Sequence, residues 1–268
     1  MKHAFLASFI LVFLLFSCKN DKKTNENISS SETVEISKKG IAKASNNDLR
    51  ITSITHGTLV IEANDDVIYV DPYGGADGFK NSPKATMVLI TDIHGDHLNA
   101  KTLEGLDLTN ATLVMPQAVA DKLPALNYKE QIVIANGTKK SIDGITVEAV
   151  PMYNLREEAL KFHSKGRGNG YVLTINNERV YISGDTEDIP EMRTLKNIDI
   201  AFVCMNLPYT MTVESAASAV LDFKPQQVYP YHYRGTEGLS DVAKFKALVN
   251  EKNPDIDVVQ LDWYPNKD

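Results

Sequence analysis

The chain has 268 residues, of which 43% are hydrophobic and 24% are charged, and its formal net charge is −7. These values are typical of a globular protein with a sizeable core. An acidic chain without a cluster of lysine or arginine is a poor binder of nucleic acid, so no nucleic-acid partner is expected.

The first residues have the pattern of a secretory signal. Lys2 precedes an apolar run from Ala4 to Phe16. This run is shorter than a membrane-spanning helix, which needs about 20 residues. The run ends in LFSC, which is similar to a bacterial lipobox, whose cysteine carries the lipid. We therefore predict a lipoprotein signal peptide over residues 1–17 and lipidation of Cys18. The protein would then be anchored to a membrane of the bacterial cell envelope, on the periplasmic face or the cell surface. An ordinary signal peptide with an incidental cysteine is the alternative.

Residues 18–47 are rich in lysine, asparagine, serine and glutamate and contain no aromatic residue. This composition predicts a flexible tether, and residues 48–268 are predicted to form a single domain. If Cys18 is acylated, Cys204 has no cysteine partner, and its apolar neighbours predict a buried small hydrophobe.

Within this domain, short β-rich segments come first and helices join them later. No internal repeat is visible at the level of residues. The predicted strands are Leu49–Ile54, Leu59–Ala63, Val67–Val70, Met87–Thr91, Thr112–Met115, Gln131–Ala135, Ile145–Pro151, Gly170–Ser183 with a turn at Asn176-Asn177, Ile198–Met205, Val228–Tyr231 and Val258–Leu261. The predicted helices follow Leu98 and cover Thr212–Phe223, with Thr212 as the N-cap, and Ser240–Glu251.

The segment TDIHGDHL, residues 91–98, holds four potential metal ligands within six positions: Asp92, His94, Asp96 and His97. An apolar strand precedes it, and Gly95 allows a tight loop at the edge of the sheet. Neutral imidazole and carboxylate are good ligands for Zn²⁺ and similar ions. Two nearby histidines alone are a weak signal, because a capped loop can hold them by hydrogen bonds.

Three further histidines also lie at predicted strand ends or in glycine-rich loops, namely His56, His163 and His232. Loops on a rigid scaffold are where ligands and catalytic groups concentrate. This distribution strengthens the prediction of a metal site.

The loop resembles the His-x-His-x-Asp-His signature of the metallo-β-lactamase fold superfamily. DPY at Asp71–Tyr73, SGDT at Ser183–Thr186 and YPYHY at Tyr229–Tyr233 resemble further motifs of that family, in the family's order. The segments VPMYN, HSKG, GYVL and PYTMT resemble more closely the branch of ascorbate-6-phosphate lactonase-like and related hydrolases. The resemblance implies an α+β/α/β fold, a four-layer αββα sandwich, with metals at one edge of its two sheets.

The resemblance also implies a binuclear centre with two divalent ions, for which zinc is expected first and manganese or iron are the alternatives. The first site would contain Asp92, His94 and His163, the second site would contain Asp96, His97 and His232, and Asp185 would bridge them. Asp71 would orient a ligand imidazole from behind, although a plain turn aspartate is the alternative.

Two positions depart from the family pattern. Asp92 stands where the signature has a histidine, and it is either a working oxygen ligand or the mark of a decayed first site. Asn154 stands near the usual middle histidine, and His163 follows nine residues later. We predict that His163 is the ligand and that Asn154 supports it; a loop histidine facing solvent is the alternative. Tyr153 and Tyr231 are candidates for the pocket wall.

The function that the resemblance implies is metal-dependent hydrolysis of an ester, lactone or phosphodiester in a small-molecule substrate. A hydroxide held between the ions would attack, and Asp96 or Asp185 would orient it. His56 would protonate the leaving group, or serve only as a hydrogen-bonded structural residue. The alternative is a non-catalytic metal- or ligand-binding envelope lipoprotein with a modified first site, and Asp92 is the residue that favours it.

Overall fold

A computed structural model of the chain describes residues 41–44 and 49–265. The predicted signal peptide, the lipidation of Cys18 and most of the predicted tether lie outside these residues. Ile41–Ala44 pair as a strand with Leu49–Thr55, so regular structure begins inside the segment whose composition predicts a tether. Among the described residues, no helix has the length and apolar character needed to cross a membrane.

The first sheet has seven strands whose order in the sheet is their order in the chain. Its first three pairings are antiparallel and its last three are parallel. The strands are β1 Ile41–Ala44, β2 Leu49–Thr55, β3 Thr58–Ala63, β4 Asp66–Val70, β5 Met87–Leu89, β6 Thr112–Met115 and β7 Glu130–Val133.

The second sheet also has seven strands, in the order β8-β9-β10-β11-β12-β13-β16. Its pairings repeat the pattern of the first sheet, three antiparallel and then three parallel. The chain therefore contains two halves of equal topology, although no repeat is visible in the residues. The strands are β8 Lys139–Ile142, β9 Ile145–Met152, β10 Gly168–Ile175, β11 Glu178–Ile182, β12 Ile200–Cys204, β13 Gln227–Tyr231 and β16 Asp257–Val258, while β14 Arg234–Gly235 and β15 Gly238–Leu239 pair separately.

The α-helices of the described residues are short, and side chains cap three of them. The helices are α1 Ala100–Gly105, α2 Gln117–Ala120, α3 Pro190–Arg193, α4 Val213–Phe223 and α5 Val242–Lys252, with 3₁₀ turns at Ala76–Phe79 and Glu157–Ala159. The side chains of Asn99 and Thr212 cap α1 and α4, and Thr212 was the predicted cap. The last helix begins later than the predicted Ser240, because Asp241 is its N-cap.

The strands bury both faces, which creates the layers. In β3, Leu59 and Ile61 point into the central core, while Val60 joins an outer core with side chains from α1 and α2. On the second sheet, Val220 and Phe223 of α4 belong to the same apolar cluster as Leu59 and Ile61. Each buried Val or Leu contributes about 1.5–3 kcal/mol. The predicted four-layer αββα sandwich is confirmed.

Differences from the predicted elements have local causes. The strand β8 was not predicted because its sequence, KKSI, is polar and three of its four residues are exposed. The segment Gly170–Ser183 is the predicted hairpin, since Asn176 and Asn177 turn with φ of 50° and 64° between β10 and β11. The last strand is two residues long rather than the predicted Val258–Leu261.

Candidate metal centre

The potential ligands lie where strands of the two sheets end. The loop of Asp92 to His97 follows β5, while Asp185 follows β11 and His232 follows β13. Because β4 to β7 are parallel, as are β11, β12, β13 and β16, their carboxyl ends meet at one edge of each sheet. The fold thus brings residues that are up to 140 positions apart, Asp92 and His232, to one locus.

In the second site, the ligand atoms face one another at short distances. Nε2 of His232 lies 3.3 Å from Nε2 of His97, 3.4 Å from Oδ2 of Asp96 and 3.3 Å from Oδ1 of Asp185. Nε2 of His97 lies 3.4 Å from Oδ2 of Asp185. Bonds of about 2.0–2.2 Å to a tetrahedral ion place ligand atoms roughly 3.3–3.6 Å apart. These four residues therefore match the dimensions of a zinc-sized site.

The first site lies beside Oδ2 of Asp185, the oxygen that is also 3.4 Å from Nε2 of His97. Nδ1 of His94 lies 2.9 Å from Oδ2 of Asp92, and Nε2 of His163 lies 4.0 Å from the same oxygen. Nε2 of His163 is 3.2 Å from Oδ2 of Asp185. Potential ligand atoms of Asp92, His94 and His163 lie within 4.8 Å of one another. Asp185 thus contacts residues of both predicted sites.

The outer nitrogens of two histidines are already hydrogen-bonded, which directs their inward nitrogens toward the centre. Nδ1 of His97 donates to Oδ2 of Asp71 at 2.8 Å, and Nδ1 of His163 donates to the carbonyl of Tyr209 at 3.1 Å. Both inward Nε2 atoms face Oδ2 of Asp185, at 3.4 Å for His97 and 3.2 Å for His163. Nε2 of His163 and Oδ1 of Asp185 are buried without a hydrogen-bond partner among the described residues. A cation at this locus satisfies them all, so the residues fit divalent ions.

The charges of the buried cluster also favour a cation at this locus. Burial alone would raise the pKa of Asp185, but His232 and His97 hold that pKa well below its usual value. Burial alone would lower the pKa of His97, yet the carboxylates of Asp185, Asp71 and Asp96 raise it well above its usual value. Buried carboxylates that stay ionised need positive charge beside them, which protons or metal ions supply.

His56 lies in the turn between β2 and β3, at the mouth of the second site. Its Nδ1 is 2.7 Å from the hydroxyl of Tyr264, and its Nε2 is 3.2 Å from Oδ2 of Asp96. Since an ionised carboxylate only accepts, Nε2 carries the proton and Nδ1 accepts from the tyrosine. Burial lowers the pKa of His56, although the hydrogen bond to Asp96 opposes this. The ring also packs on that of His232, with centroids 3.8 Å apart.

Asn154 braces the loop that carries His163. Its Nδ2 donates to the carbonyls of Ala159 and Tyr209 at 2.9 and 2.7 Å, and its backbone N–H donates to the carbonyl of His163. Of the two candidates for the middle ligand, the structure directs Nε2 of His163 toward Asp185 and holds the amide of Asn154 against backbone carbonyls.

Backbone geometry at the centre is unusual. His56, Asp71 and His232 have φ of 53°, 44° and 45°, a region that non-glycine residues seldom adopt. Gly184, just before Asp185, has φ of 60°, and a Cβ there would lie 2.5 Å from Sδ of Met152. Glycine is therefore required at this position of the SGDT motif.

A family whose description is “Beta-lactamase superfamily domain” matches residues 50–232, which contain all of these ligands. The chain belongs to the beta-lactamase superfamily. A UPF0173 metal-dependent hydrolase of Thermococcus onnurineus (strain NA1) is 30% identical over 174 residues, covering 63% of this chain and 76% of that protein.

Solved structures agree with this assignment. A proposed metal-dependent hydrolase from Parabacteroides distasonis ATCC 8503 is 39% identical, with a TM-score of 0.72 and coverage of 82% of this chain and 96% of that chain. Igni18, a metallo hydrolase from the archaeon Ignicoccus hospitalis, is 21% identical, with a TM-score of 0.66 and coverage of 80% and 95%. The predicted metallo-β-lactamase fold is confirmed. The closer resemblance to the ascorbate-6-phosphate lactonase-like branch stays a prediction.

In this superfamily member, Asp92 has an ion-pair partner that the sequence did not reveal. Nε and Nη2 of Arg167 donate to the two carboxylate oxygens of Asp92 at 3.0 and 2.7 Å. Burial alone would raise the pKa of Asp92, but hydrogen bonds from His94 and Arg167 hold it below its usual value. The sequence held one indication of this partner, because a buried aspartate in place of a neutral histidine needs a positive charge beside it.

The centre opens into a cavity of 280 Å³. The cavity is lined by His56, His94, Asp96, Phe162, His163, Asp185, Asn206, Tyr209 and Arg234. The sequence analysis did not identify Phe162, Asn206, Tyr209 and Arg234, because nothing in their local spacing marks them. The two aromatic candidates lie elsewhere: the hydroxyl of Tyr231 is buried against Gly184 N, and that of Tyr153 donates to Glu191.

Proposed function

We propose that the chain is a metal-dependent hydrolase that binds two divalent ions, with zinc expected, and cleaves an ester, lactone or phosphodiester in a small anionic substrate. The observation that supports this most directly is the convergence of inward-facing nitrogens of His97 and His163 on the carboxylate of Asp185, with buried atoms that lack a hydrogen-bond partner, beside an open cavity. Two similar proteins are described as metal-dependent hydrolases, which supports the same reaction class.

The chain's own residues would hold the ions in the two predicted sites, with Asp185 between them. Bound divalent ions supply Lewis acidity, which lowers the pKa of water toward about 7 and stabilises negative charge on a reacting oxygen. Asp71 fixes the ring of His97, and the Tyr209 carbonyl fixes that of His163. Preorganised ligands of this kind lose little mobility when an ion binds.

His56 is the proton donor that the geometry supports best. Its Nε2 lies 3.2 Å from Oδ2 of Asp96 at the cavity wall, and Tyr264 holds the opposite nitrogen. In hydrolysis, the bond from carbonyl carbon or phosphorus to the leaving oxygen breaks while a bond to a water oxygen forms. In its doubly protonated form, His56 gives the proton on Nε2 to the leaving oxygen and becomes neutral, and it recovers a proton from the attacking water.

Arg234 supports an anionic substrate. Its guanidinium lines the cavity and packs 4.5 Å from the ring centroid of Tyr264, while no ion-pair partner for it is found among residues 49–265. An Arg fork matches a carboxylate or phosphate group with two parallel hydrogen bonds. A second cavity of 260 Å³ borders Arg234 and Tyr73, so a substrate with a further moiety has room beyond the arginine.

The openness of the centre favours an enzyme over a metal-storage or ligand-binding role. The side chains of His94 and Asp96 are 39% and 32% exposed, on the cavity side. A coordination shell closed to solvent would favour the binding role, because catalysis needs a position for water and substrate. Tight metal binding without any hydrolysis would support the alternative.

The test is hydrolysis of matched ester, lactone and phosphodiester substrates, each with and without a carboxylate, by zinc-, manganese- and iron-loaded protein. We expect metal-dependent turnover with a preference for the anionic member of each pair. Asp96→Asn should abolish turnover, whereas the matched Asp107→Asn, at an exposed acid, should not. Arg234→Gln should raise KM for anionic substrates at least tenfold and leave neutral ones unchanged. Absence of metal-dependent turnover on every substrate would contradict the proposal.

We also propose that the protein is lipid-anchored at the bacterial cell envelope through Cys18. The apolar run to Phe16 and the LFSC ending support this. Metabolic labelling with a radioactive fatty acid should mark the chain and not the Cys18→Ser variant. Equal labelling of both, or of neither, would contradict it.

A further inference from the structure

Arg167 and Asp92 form a buried two-point ion pair at the first site. The guanidinium donates to both carboxylate oxygens, at 3.0 and 2.7 Å, and the Asp92 side chain is 0% exposed. The pair joins residues that are 75 positions apart, so only the fold brings them together. Two-point contact fixes both the orientation and the charge of the carboxylate.

The guanidinium is itself fixed on its other side. Nη2 of Arg167 also donates to the carbonyl of Phe162, and it lies 3.4 Å from Nε2 of His94. The Arg167 side chain is 18% exposed. Its position is therefore set by the same loop that carries His163, and its charge lies beside two of the three residues of the first site.

The pairing of Arg167 with Asp92 changes the net charge of the centre. Asp92, Asp96 and Asp185 give three carboxylates, one more than if a histidine occupied the first position. A guanidinium is always protonated in proteins, so it balances the carboxylate of Asp92 at any working pH. The two side chains together have no net charge, as a neutral imidazole has none.

We propose that Asp92 and Arg167 act as one neutral ligand unit, in which Asp92 presents an oxygen to the ion of the first site and Arg167 cancels the added negative charge. The inference rests on the proposed function, because it requires that divalent ions bind there. Arg167 acts through Asp92 and touches no reacting atom. The first site then keeps the charge balance of a histidine site although its donor atom is an oxygen.

Charge predicts an order of zinc affinities at the first site. Arg167→Gln leaves the position with one negative charge, while the wild type and Asp92→His/Arg167→Gln are neutral. Asp92→His alone leaves an unpaired guanidinium beside the ion. We expect Arg167→Gln to bind the first-site ion most tightly and Asp92→His to bind it least tightly. The two neutral proteins should lie between them, within threefold of each other. Each change of charge should alter the affinity by at least about tenfold.

The experiment is elemental analysis of bound zinc together with competition against a chelating dye, for the full chain and these three variants. Arg50→Gln, which removes an exposed arginine paired with Glu62, is the control and should match the wild type. Circular dichroism checks that each variant is folded. If Asp92→His does not fold, the comparison of Arg167→Gln with Arg167→Lys replaces it, and lysine should retain the wild-type affinity within about tenfold.

The outcomes separate the two proposals. Wild-type affinity in Asp92→His, or no tighter binding in Arg167→Gln, would overturn the neutral ligand unit while leaving the hydrolase proposal intact. A single zinc equivalent in the wild type, restored to two only in the double variant, would also overturn it, since the pair would then block the first site. If the wild type binds no divalent ion, both proposals are wrong.

Discussion

At the scale of single residues, Asp71 decides which nitrogen of His97 faces the centre. Its Oδ2 accepts from Nδ1 of His97 at 2.8 Å and from the Thr91 hydroxyl at 2.6 Å, and its Oδ1 accepts from Thr91 N at 2.7 Å. A carboxylate behind an imidazole fixes the tautomer and makes the ligand more basic. Asp71 would thus act on a bound ion without touching it.

Asp71→Asn should lower the affinity for zinc in the second site about 10–100-fold, because the amide no longer stabilises the Nδ1–H of His97. Competition with a chelating dye measures this. Asp107→Asn, an exposed acid paired with Lys84, is the matched control and should change nothing. Equal zinc affinities in Asp71→Asn and the wild type would show that Asp71 does not support zinc binding.

Cys204 is predicted to be chemically inert in the folded protein. Its side chain is 0% exposed, and burial raises its pKa to about 12, so at pH 8 about one thiol in 10⁴ is ionised. In a Cys18→Ser background, where Cys204 is the remaining cysteine, we expect no reaction with a thiol reagent until a denaturant is added. Stoichiometric labelling of the native protein within minutes would contradict the buried placement.

At the scale of elements, the connection from β9 to β10 has to be rigid, because it carries both His163 and Arg167. Glu187, whose side chain is 3% exposed, fastens it. Its oxygens accept from the backbone N–H groups of Leu155 and Arg156 at 2.8 and 2.9 Å and from Nε of Arg156 at 2.6 Å. This buried carboxylate ties the loop to the second sheet.

Glu187→Ala should therefore lower the free energy of unfolding by about 3–5 kcal/mol, since it leaves buried donors without an acceptor. It should also weaken zinc binding at the first site. Urea denaturation measures the first effect. Glu158→Ala removes an acid that pairs with the same arginine but is 70% exposed, and it should cost at most about 1 kcal/mol. Equal losses in both variants would contradict the role of Glu187.

At the scale of the whole molecule, the two halves repeat one pattern of strand pairing and place their chemistry at the same edge. Asp71 follows the fourth strand of the first sheet, and Asp185 follows the fourth strand of the second, counted from β8. Ligands from both halves meet between the sheets. An ion bound there would join the two halves, which couples metal binding to the stability of the fold.

Removal of divalent ions with a chelator should accordingly lower the midpoint of thermal unfolding. An ion present at 100 times its Kd adds about 2.7 kcal/mol, which for a domain of this size corresponds to roughly 5–10 °C. Asp185→Asn, which removes the shared ligand, should show a smaller shift on chelation. An unchanged midpoint, with loss of the ions verified by elemental analysis, would show that the ions do not join the halves.

Much of the strand framework and one cluster of ligands could be predicted from local patterns. Asp92, His94, Asp96 and His97 lie within one loop, so their proximity follows from covalent distance alone. The hairpin of β3 and β4 follows from the turn residues Asn64-Asp65-Asp66 between two apolar runs. The polar strand β8 escaped prediction because its residues are mostly exposed and show no apolar alternation.

The sequence by itself indicated the strand ends that hold chemistry and the kinds of ligand atom, because these depend on short-range periodicity and spacing, and its motifs implied the fold class through their resemblance to a known superfamily. The tertiary structure alone decided that Arg167 pairs with Asp92 and that Arg234, packed on the ring of Tyr264, lines the cavity. These contacts join residues that are tens of positions apart. Their formation depends on how the two sheets and their loops pack, and no local pattern encodes that packing.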